Sequence, residues 1–296
     1  MFHGADQSLQ SISPRPPLRW MGGKYRLRHV LSELSSRINY ARLIDPFFGG
    51  GSTISTFDRA TFIASDANAE LMNFHLACRD NPAYLISAIR TWTDSREDFL
   101  RIRSELPTTD LDMAVRFLFL NRTAYAGMYR VNRAGVYNVP YGGGGRFVPD
   151  SLMKSIESHS QLLANGELFV EDFEIALNRA EADDLVFLDP PYSAAGHETF
   201  DRYGADPFRS ASRERLATVS NTLSTSGVPI IATLPASADL LAGFSGWRLL
   251  SVQHSRTMPN GEVLIASGSD RWERLGRRIP VAQKAISKLL AESDGR

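Results

Sequence analysis

Leu185-Val186-Phe187-Leu188-Asp189-Pro190-Pro191-Tyr192 is a run of four apolar residues closed by an acid, two prolines and an aromatic ring. The run is too short for an ordinary helix and carries no polar position, so it reads as a strand buried on both faces. Two prolines, which fix φ and lack an N–H, end it. The same pattern occurs twice earlier in the chain. Ala41-Arg42-Leu43-Ile44 runs into Asp45-Pro46, and Thr61-Phe62-Ile63-Ala64 runs into Ser65-Asp66. Val228-Pro229-Ile230-Ile231-Ala232 reads as a fourth strand. Buried strands that each finish in polar residues predict a doubly wound, open parallel α/β sheet, with ligands bound beyond the carboxyl ends of its strands.

Between Asp66 and Leu185 lie more than a hundred residues of different character. Leu111, Val115, Leu118 and Phe119 recur at helical spacing, and Gly127 to Gly142 reads as a hairpin turning at Asn132-Arg133-Ala134-Gly135. Gly142-Gly143-Gly144-Gly145 then interrupts regular structure, because glycines offer no side chain to pack and lose the most entropy on ordering. The expected organisation is a domain formed by residues 16–70 and 159–268, an inserted recognition region over 71–158, and a tail over 269–296. In that tail, the spacing of Val281, Ile286, Leu289 and Leu290 predicts a terminal amphipathic helix.

Composition narrows the class. An apolar share of 43% over 296 residues is enough for an ordinary buried core. No stretch approaches the ~18 apolar residues of a membrane span, and the polar segment before Pro14 lacks a signal-peptide core. A cytoplasmic location is therefore expected. Cys78, the single cysteine, can form neither an internal disulfide nor a Cys-based zinc site, and no metal is expected. Thirty-three basic and thirty-three acidic residues cancel, so any nucleic-acid surface must be local. Arg122, Arg130, Arg133, Arg146 and Lys154 face only Asp150 over residues 121–154. From Arg271 to Arg296, seven basic residues face three acidic ones. Both windows could meet phosphates or be ordinary solvated faces.

The strand ends suggest chemistry. Asp45-Pro46-Phe47-Phe48-Gly49-Gly50-Gly51-Ser52 leaves bare backbone against which a ligand could lie, and Asp66 is placed to accept from ribose hydroxyls. Gly49 and Gly51 match the start of G-x-G-x-x-G, but Ile54 takes its last position, which disfavours a nicotinamide cofactor. Trp20-Met21-Gly22-Gly23-Lys24 is not a P-loop, because Leu18 and Tyr25 stand where glycine and a hydroxyl are required. It suits capture of a carboxylate by Lys24 while Trp20 covers an apolar or cationic group. Asp189 and the Pro190 carbonyl form two acceptors, matching the two donors of an exocyclic NH2. Accepting both hydrogens frees the nitrogen lone pair from the ring and aims it at an electrophile, while Tyr192 offers a face for stacking.

Trp20-Met-Gly-Gly-Lys24, Asp45-Pro-Phe-Phe-Gly-Gly-Gly-Ser52, Ser65-Asp-Ala-Asn68, Asn121-Arg-Thr-Ala-Tyr-Ala-Gly127, Asn138-Val-Pro-Tyr-Gly142, Asp189-Pro-Pro-Tyr192 and Glu262-Val-Leu-Ile265 together resemble the Dam-type (D12 class) adenine-N6 DNA methyltransferases, in the family's order. The resemblance implies a Rossmann-like methyltransferase sheet that takes S-adenosylmethionine, with an inserted helical and β-hairpin DNA-recognition domain. It implies a cofactor pocket of Trp20, Gly22, Gly23, Lys24, Asp45, Pro46, Phe47, Phe48, Gly49, Gly51, Ser52, Asp66, Asn68, Asp172, Phe173 and Asp189, with Phe173 on the cofactor adenine. Asp189, Pro190, Pro191 and Tyr192 would act on an adenine flipped from double-stranded DNA. Asn121, Arg122, Tyr125, Arg130, Asn132, Asn138 and Pro140 would meet the DNA, Tyr125 filling the gap and Arg130 reading a guanine.

A bacterial or phage origin and a cognate restriction endonuclease as further partner are implied as well. The chain departs from the family at Thr233-Leu-Pro-Ala-Ser237, where many relatives carry Ser-Asn-His-Asp, and at Ala126 and Gly144 in the hairpin region. No role is assigned to the first segment, and GATC recognition is not implied. Asp189 and Pro190 could also serve an RNA base or a glutamine amide, and a silent DNA-binding protein is the alternative outside catalysis.

Overall fold

The computed structural model describes residues 15–36, 38–57, 61–132, 134–145, 148–191, 208, 210–235, 241–250, 262–267 and 281–285. A 3-10 turn at Lys24–Leu27 and α1 (Arg28–Ser35) precede β1 (Arg42–Asp45) and β2 (Thr61–Asp66). Four helices follow, α2 (Ala69–Asp80), α3 (Pro82–Ile89), α4 (Arg96–Ser104) and α5 (Asp110–Thr123). The chain continues through α6 (Pro149–Leu163), β3 (Gly166–Val170), α7 (Phe173–Leu177), β4 (Asp184–Leu188) and α8 (Ser210–Thr225). It ends in β5 (Ile230–Pro235), β6 (Arg248–Leu250), β7 (Glu262–Ala266) and β8 (Val281–Ala285). Local chemistry explains the helix starts. Asn68, Ser95, Thr109 and Asp172 cap α2, α4, α5 and α7 by accepting a first-turn N–H, and Pro82 and Pro149 open α3 and α6.

The strands form one sheet in the order β3-β2-β1-β4-β5-β7-β6-β8. From β3 to β5 all pairings are parallel, and β7 joins β5 antiparallel. The order reverses between β1 and β4, the kind of point at which open α/β sheets bind ligands beyond the carboxyl ends of their strands. In-register alternation makes the sheet double-faced. Leu43 lies beside Phe62 and Leu185 and contributes to one hydrophobic cluster, whereas Ile44 lies beside Ile63 and Val186 in the other. All five residues of β4 are buried, the apolar Leu185–Leu188 run on both faces and Asp184 paired with Arg42.

Several expectations change. Gly166–Val170 supplies a strand that the sequence pattern did not reveal; it is an edge strand, only one of its residues buried, so its apolar run is broken. The expected boundary at residue 71 falls inside α2, and one hydrophobic cluster joins Leu43 and Phe187 of the sheet to Phe74, Phe117 and Tyr129. Val281–Ala285 is a strand, not the start of a helix. Its backbone hydrogen-bonds to the open edge of β6, a tertiary gain that overrides local spacing. Around the expected hairpin turn, antiparallel bridges join Val131 to Tyr137 and Ala124 to Tyr141, Gly135 N donates to the Asn132 carbonyl and Gly135 adopts φ 76°; Arg133 lies outside the described residues. No helix among the described residues is long and apolar enough to cross a membrane.

Candidate active site

Three carboxylates arrive at one edge of the sheet because β1, β2 and β4 end in Asp45, Asp66 and the residue before Pro190. Asp45 is 1% exposed; its carboxyl accepts from Phe47 N at 3.1 Å and Thr53 Oγ1 at 2.5 Å. Burial pushes Asp45 up to about 7, with Asp189 and Asp66 adding like-charge repulsion. Its carboxyl therefore braces the turn from within. Asp66 accepts from Gly49 N at 3.0 Å and Asn68 N at 2.9 Å, and burial raises it above the usual carboxylate range. Each carboxylate oxygen can accept more than one hydrogen, so these bonds leave capacity for a ligand hydroxyl. The Asn68 side chain caps α2.

The glycine turn also packs closely against the protein itself. Gly49 and Gly51 have φ of 51° and 73°, which disfavour side chains. A Cβ on Gly49 would lie 2.9 Å from Trp20 Cδ1, and one on Gly50 only 2.7 Å from Trp20 Cβ. On Gly51 it would meet His159 Cε1 at 2.7 Å. The bare backbone thus admits the protein's own Trp20 and His159. Trp20 in turn stacks on Tyr129 at 6.2 Å between centroids.

His75 and His159, which sequence reasoning missed, are buried beneath this turn. His75 Nε2 lies 2.8 Å from the Gly49 carbonyl, and its Nδ1 lies 3.2 Å from His159 Nε2. A carbonyl only accepts, so His75 Nε2 carries the hydrogen and its Nδ1 receives one from His159. The chain of bonds works only while His75 is neutral. Burial lowers His75 to about 4, and burial together with the neighbouring ring of His75 lowers His159 well below its usual value.

Lys24 is 5% exposed, and its Nζ lies 2.8 Å from Asp189 Oδ1 and 2.8 Å from the Gly22 carbonyl. Its backbone N–H donates to Ser52 Oγ at 3.2 Å, joining the Trp20–Lys24 loop to the glycine turn. The carboxylate that Lys24 holds in this structure is thus Asp189. Thr233 Oγ1 donates to the same oxygen at 2.8 Å. Pro190 and Pro191 line a cavity of about 490 Å³ with Phe208, Leu216, Leu234 and Phe244. Tyr192 lies outside the described residues. Phe173 stacks on Phe47 at 5.4 Å, and Asp172 caps α7 while pairing with Arg215 at 2.6 Å.

The expected DNA-facing residues divide into two groups. Asn121 is 1% exposed; its side chain accepts from Arg19 N and donates to the carbonyls of Arg19 and Gly127. Arg122 donates to the Pro17 carbonyl at 3.3 Å, and burial lowers it to about 10, helped by repulsion from Arg19. Asn132 Oδ1 accepts from the backbone of Ala134 and Val136. Asn121 has almost no surface and Arg122 is half-buried, whereas Asn132 is exposed while its oxygen closes its own turn. Tyr125, Arg130, Asn138 and Pro140 are exposed. Arg130 Nε donates to Asn138 Oδ1 at 2.7 Å, and Tyr125 sits on a turn where Ala126 adopts φ 55°.

Comparison with known proteins places this geometry. The family of D12 class N6 adenine-specific DNA methyltransferases matches residues 20–258. A type II methyltransferase of Lactococcus lactis subsp. cremoris is 28% identical over 259 residues, 83% of this chain and 90% of that protein. A DNA adenine methylase of Vibrio cholerae is 25% identical over 251 residues, covering 81% and 88%. The DNA N-6-adenine-methyltransferase of Escherichia phage P1 is 30% identical over 244 residues, 78% of this chain but only 32% of the phage protein. Because the match runs from Trp20 through the glycine turn and the Asp189 strand end to Met258, the chain belongs to the D12 class of N6 adenine-specific DNA methyltransferases, enzymes that methylate adenine in DNA.

Proposed function

We propose that the chain is a site-specific methyltransferase that takes S-adenosylmethionine as methyl donor and acts on an adenine flipped from double-stranded DNA. The observation that carries this reading is Asp189, held at the carboxyl end of β4 beside the reversal of strand order, with Lys24 and Thr233 on one oxygen. The donor set suits the cofactor. Asp66 retains acceptor capacity for ribose hydroxyls, the Phe47–Phe173 stack offers aromatic surface for an adenine ring, and Lys24 supplies a cation for a carboxylate. When bound, S-adenosylmethionine supplies an electrophilic methyl group on sulfonium.

Asp189 and the Pro190 carbonyl would accept the two N6 hydrogens, so that the nitrogen lone pair turns toward that methyl. Asp189 would stabilise the positive charge that N6 acquires as it is methylated, most strongly before N6 loses a proton. The exposed Tyr125, Arg130, Asn138 and Pro140 of the 71–158 region would face the duplex, Arg130 reading a guanine. A cognate restriction endonuclease is supported by the type II naming of two relatives. Expression in a methylation-free bacterial host, followed by direct single-molecule sequencing, should reveal N6-methyladenine confined to one motif. A host genome without it, despite expressed protein that binds the cofactor, would overturn the reading.

A further inference from the structure

We propose that Thr233 is a positioning residue for Asp189, a buried hydroxyl on β5 that fixes the carboxylate meeting the adenine amine. The proposal rests on the methyl-transfer reading above. Sheet register brings the two together: Val186, Phe187 and Leu188 of β4 lie beside Ile230, Ile231 and Ala232 of β5, and the next step sets Asp189 beside Thr233. Neighbours in a parallel register present side chains to the same face. Thr233 is 0% exposed, and its Oγ1 lies 2.8 Å from Asp189 Oδ1 but 3.4 Å from the Leu188 carbonyl. A hydroxyl has one hydrogen, and the nearer, ionised oxygen takes it.

The two donors on Asp189 Oδ1 differ in stiffness. Lys24 reaches it through a flexible four-carbon stem, and the same ammonium is the cation assigned above to the cofactor's carboxylate. Thr233 is β-branched, with χ1 restricted, on a strand flanked by β4 and β7, where it pairs with Leu264. A rigid hydroxyl therefore keeps Asp189 oriented whichever anion Lys24 faces. This gives a role to a position in the Thr233–Ser237 segment, where the sequence departs from its relatives.

Thr233→Val and Thr233→Ser separate the hydroxyl from its packing. The assay is transfer of labelled methyl from S-adenosylmethionine to genomic DNA of a methylation-free host. Thr233→Val should lower kcat by about ten- to a hundredfold, the range for losing a hydrogen bond to a charged group, with both KM values within about twofold. Thr233→Ser should lose less than Thr233→Val, because it keeps the donor but not the β-methyl that fixes χ1. Thr233→Ala replaces the valine variant if circular dichroism shows that protein unfolded. A hydroxyl-free variant with wild-type kcat, or a serine variant impaired equally, overturns the proposal. Wild-type protein that transfers no methyl overturns the underlying function and this role with it.

Discussion

Asp189 and Asp66 lie at the same edge of the sheet, and the proposed function gives them different kinetic weights. Asp189 is gripped at one oxygen by Lys24 and Thr233, and charge grows on the amine it would hold. Asp189→Asn keeps the shape but removes the charge, so kcat should fall by about a hundredfold or more, with little change in DNA binding by fluorescence anisotropy. A variant retaining a tenth of wild-type turnover would contradict that role. Asp66 would contribute equally to the bound ground and transition states. Asp66→Asn should thus raise KM for S-adenosylmethionine and spare kcat at saturation. Asp66→Ala should also lower the melting temperature, because Gly49 N and Asn68 N both lose their acceptor. Calorimetry that finds cofactor affinity unchanged in both variants would remove Asp66 from the pocket.

The glycine turn, α2 and α6 meet at the His75–His159 pair, and this junction ties the site to pH. The unfolded rings take up protons near their ordinary value of 6.5, whereas folded His75 resists until about 4. The unfolded state thus binds more protons in between, and the stabilisation, complete above about 6.5, is lost as pH falls toward 4. Asp45 works in the opposite sense, being raised to about 7 in the fold, and offsets part of the change. His75→Gln keeps a donor for the Gly49 carbonyl and removes one titration. Urea unfolding between pH 7 and 5 should show wild type losing roughly 2 kcal/mol more than the variant. Parallel curves would mean that the pair does not stay neutral. None of this junction was legible in the sequence, because two histidines 84 positions apart meet only when α2 and α6 pack. Asp45, Asp66 and Asp189 were legible, because strands buried on both faces are uninterrupted apolar runs and their polar ends stand out. Thr233 was hidden for the complementary reason: threonine inside a strand looks like an ordinary strand residue, and only register shows what it faces. The internal bonds of Asn121 were not legible either, because a polar residue beside an exposed turn reads the same whether it faces outward or pins the turn.

At the scale of the molecule, zero net charge leaves DNA affinity to surfaces where basic residues outnumber acids locally. Basic residues outnumber acidic ones in the sequence from Arg271 to Arg296, and within that segment Val281–Ala285 covers the edge of β6. Cutting the chain after Gly268 would mix the two effects, removing basic residues and exposing an unpaired strand edge at once. Such a truncation should lower the melting temperature and favour aggregation, whatever the tail does for DNA. A cleaner variant replaces Arg271, Arg274, Arg277 and Arg278 with glutamine and leaves β8 in place. If these arginines meet phosphates, each lost contact should flatten the slope of log K against log salt by about 0.9. Phosphate contacts carry no base information, so the methylated motif should stay the same. An unchanged salt slope with unchanged stability would assign the segment's charge to solvation, and a changed motif would make it part of base recognition. The same titration on Arg130→Ala serves as the contrast: a base-reading arginine should lose roughly 1–3 kcal/mol on the preferred duplex alone, whereas a phosphate contact weakens every duplex alike.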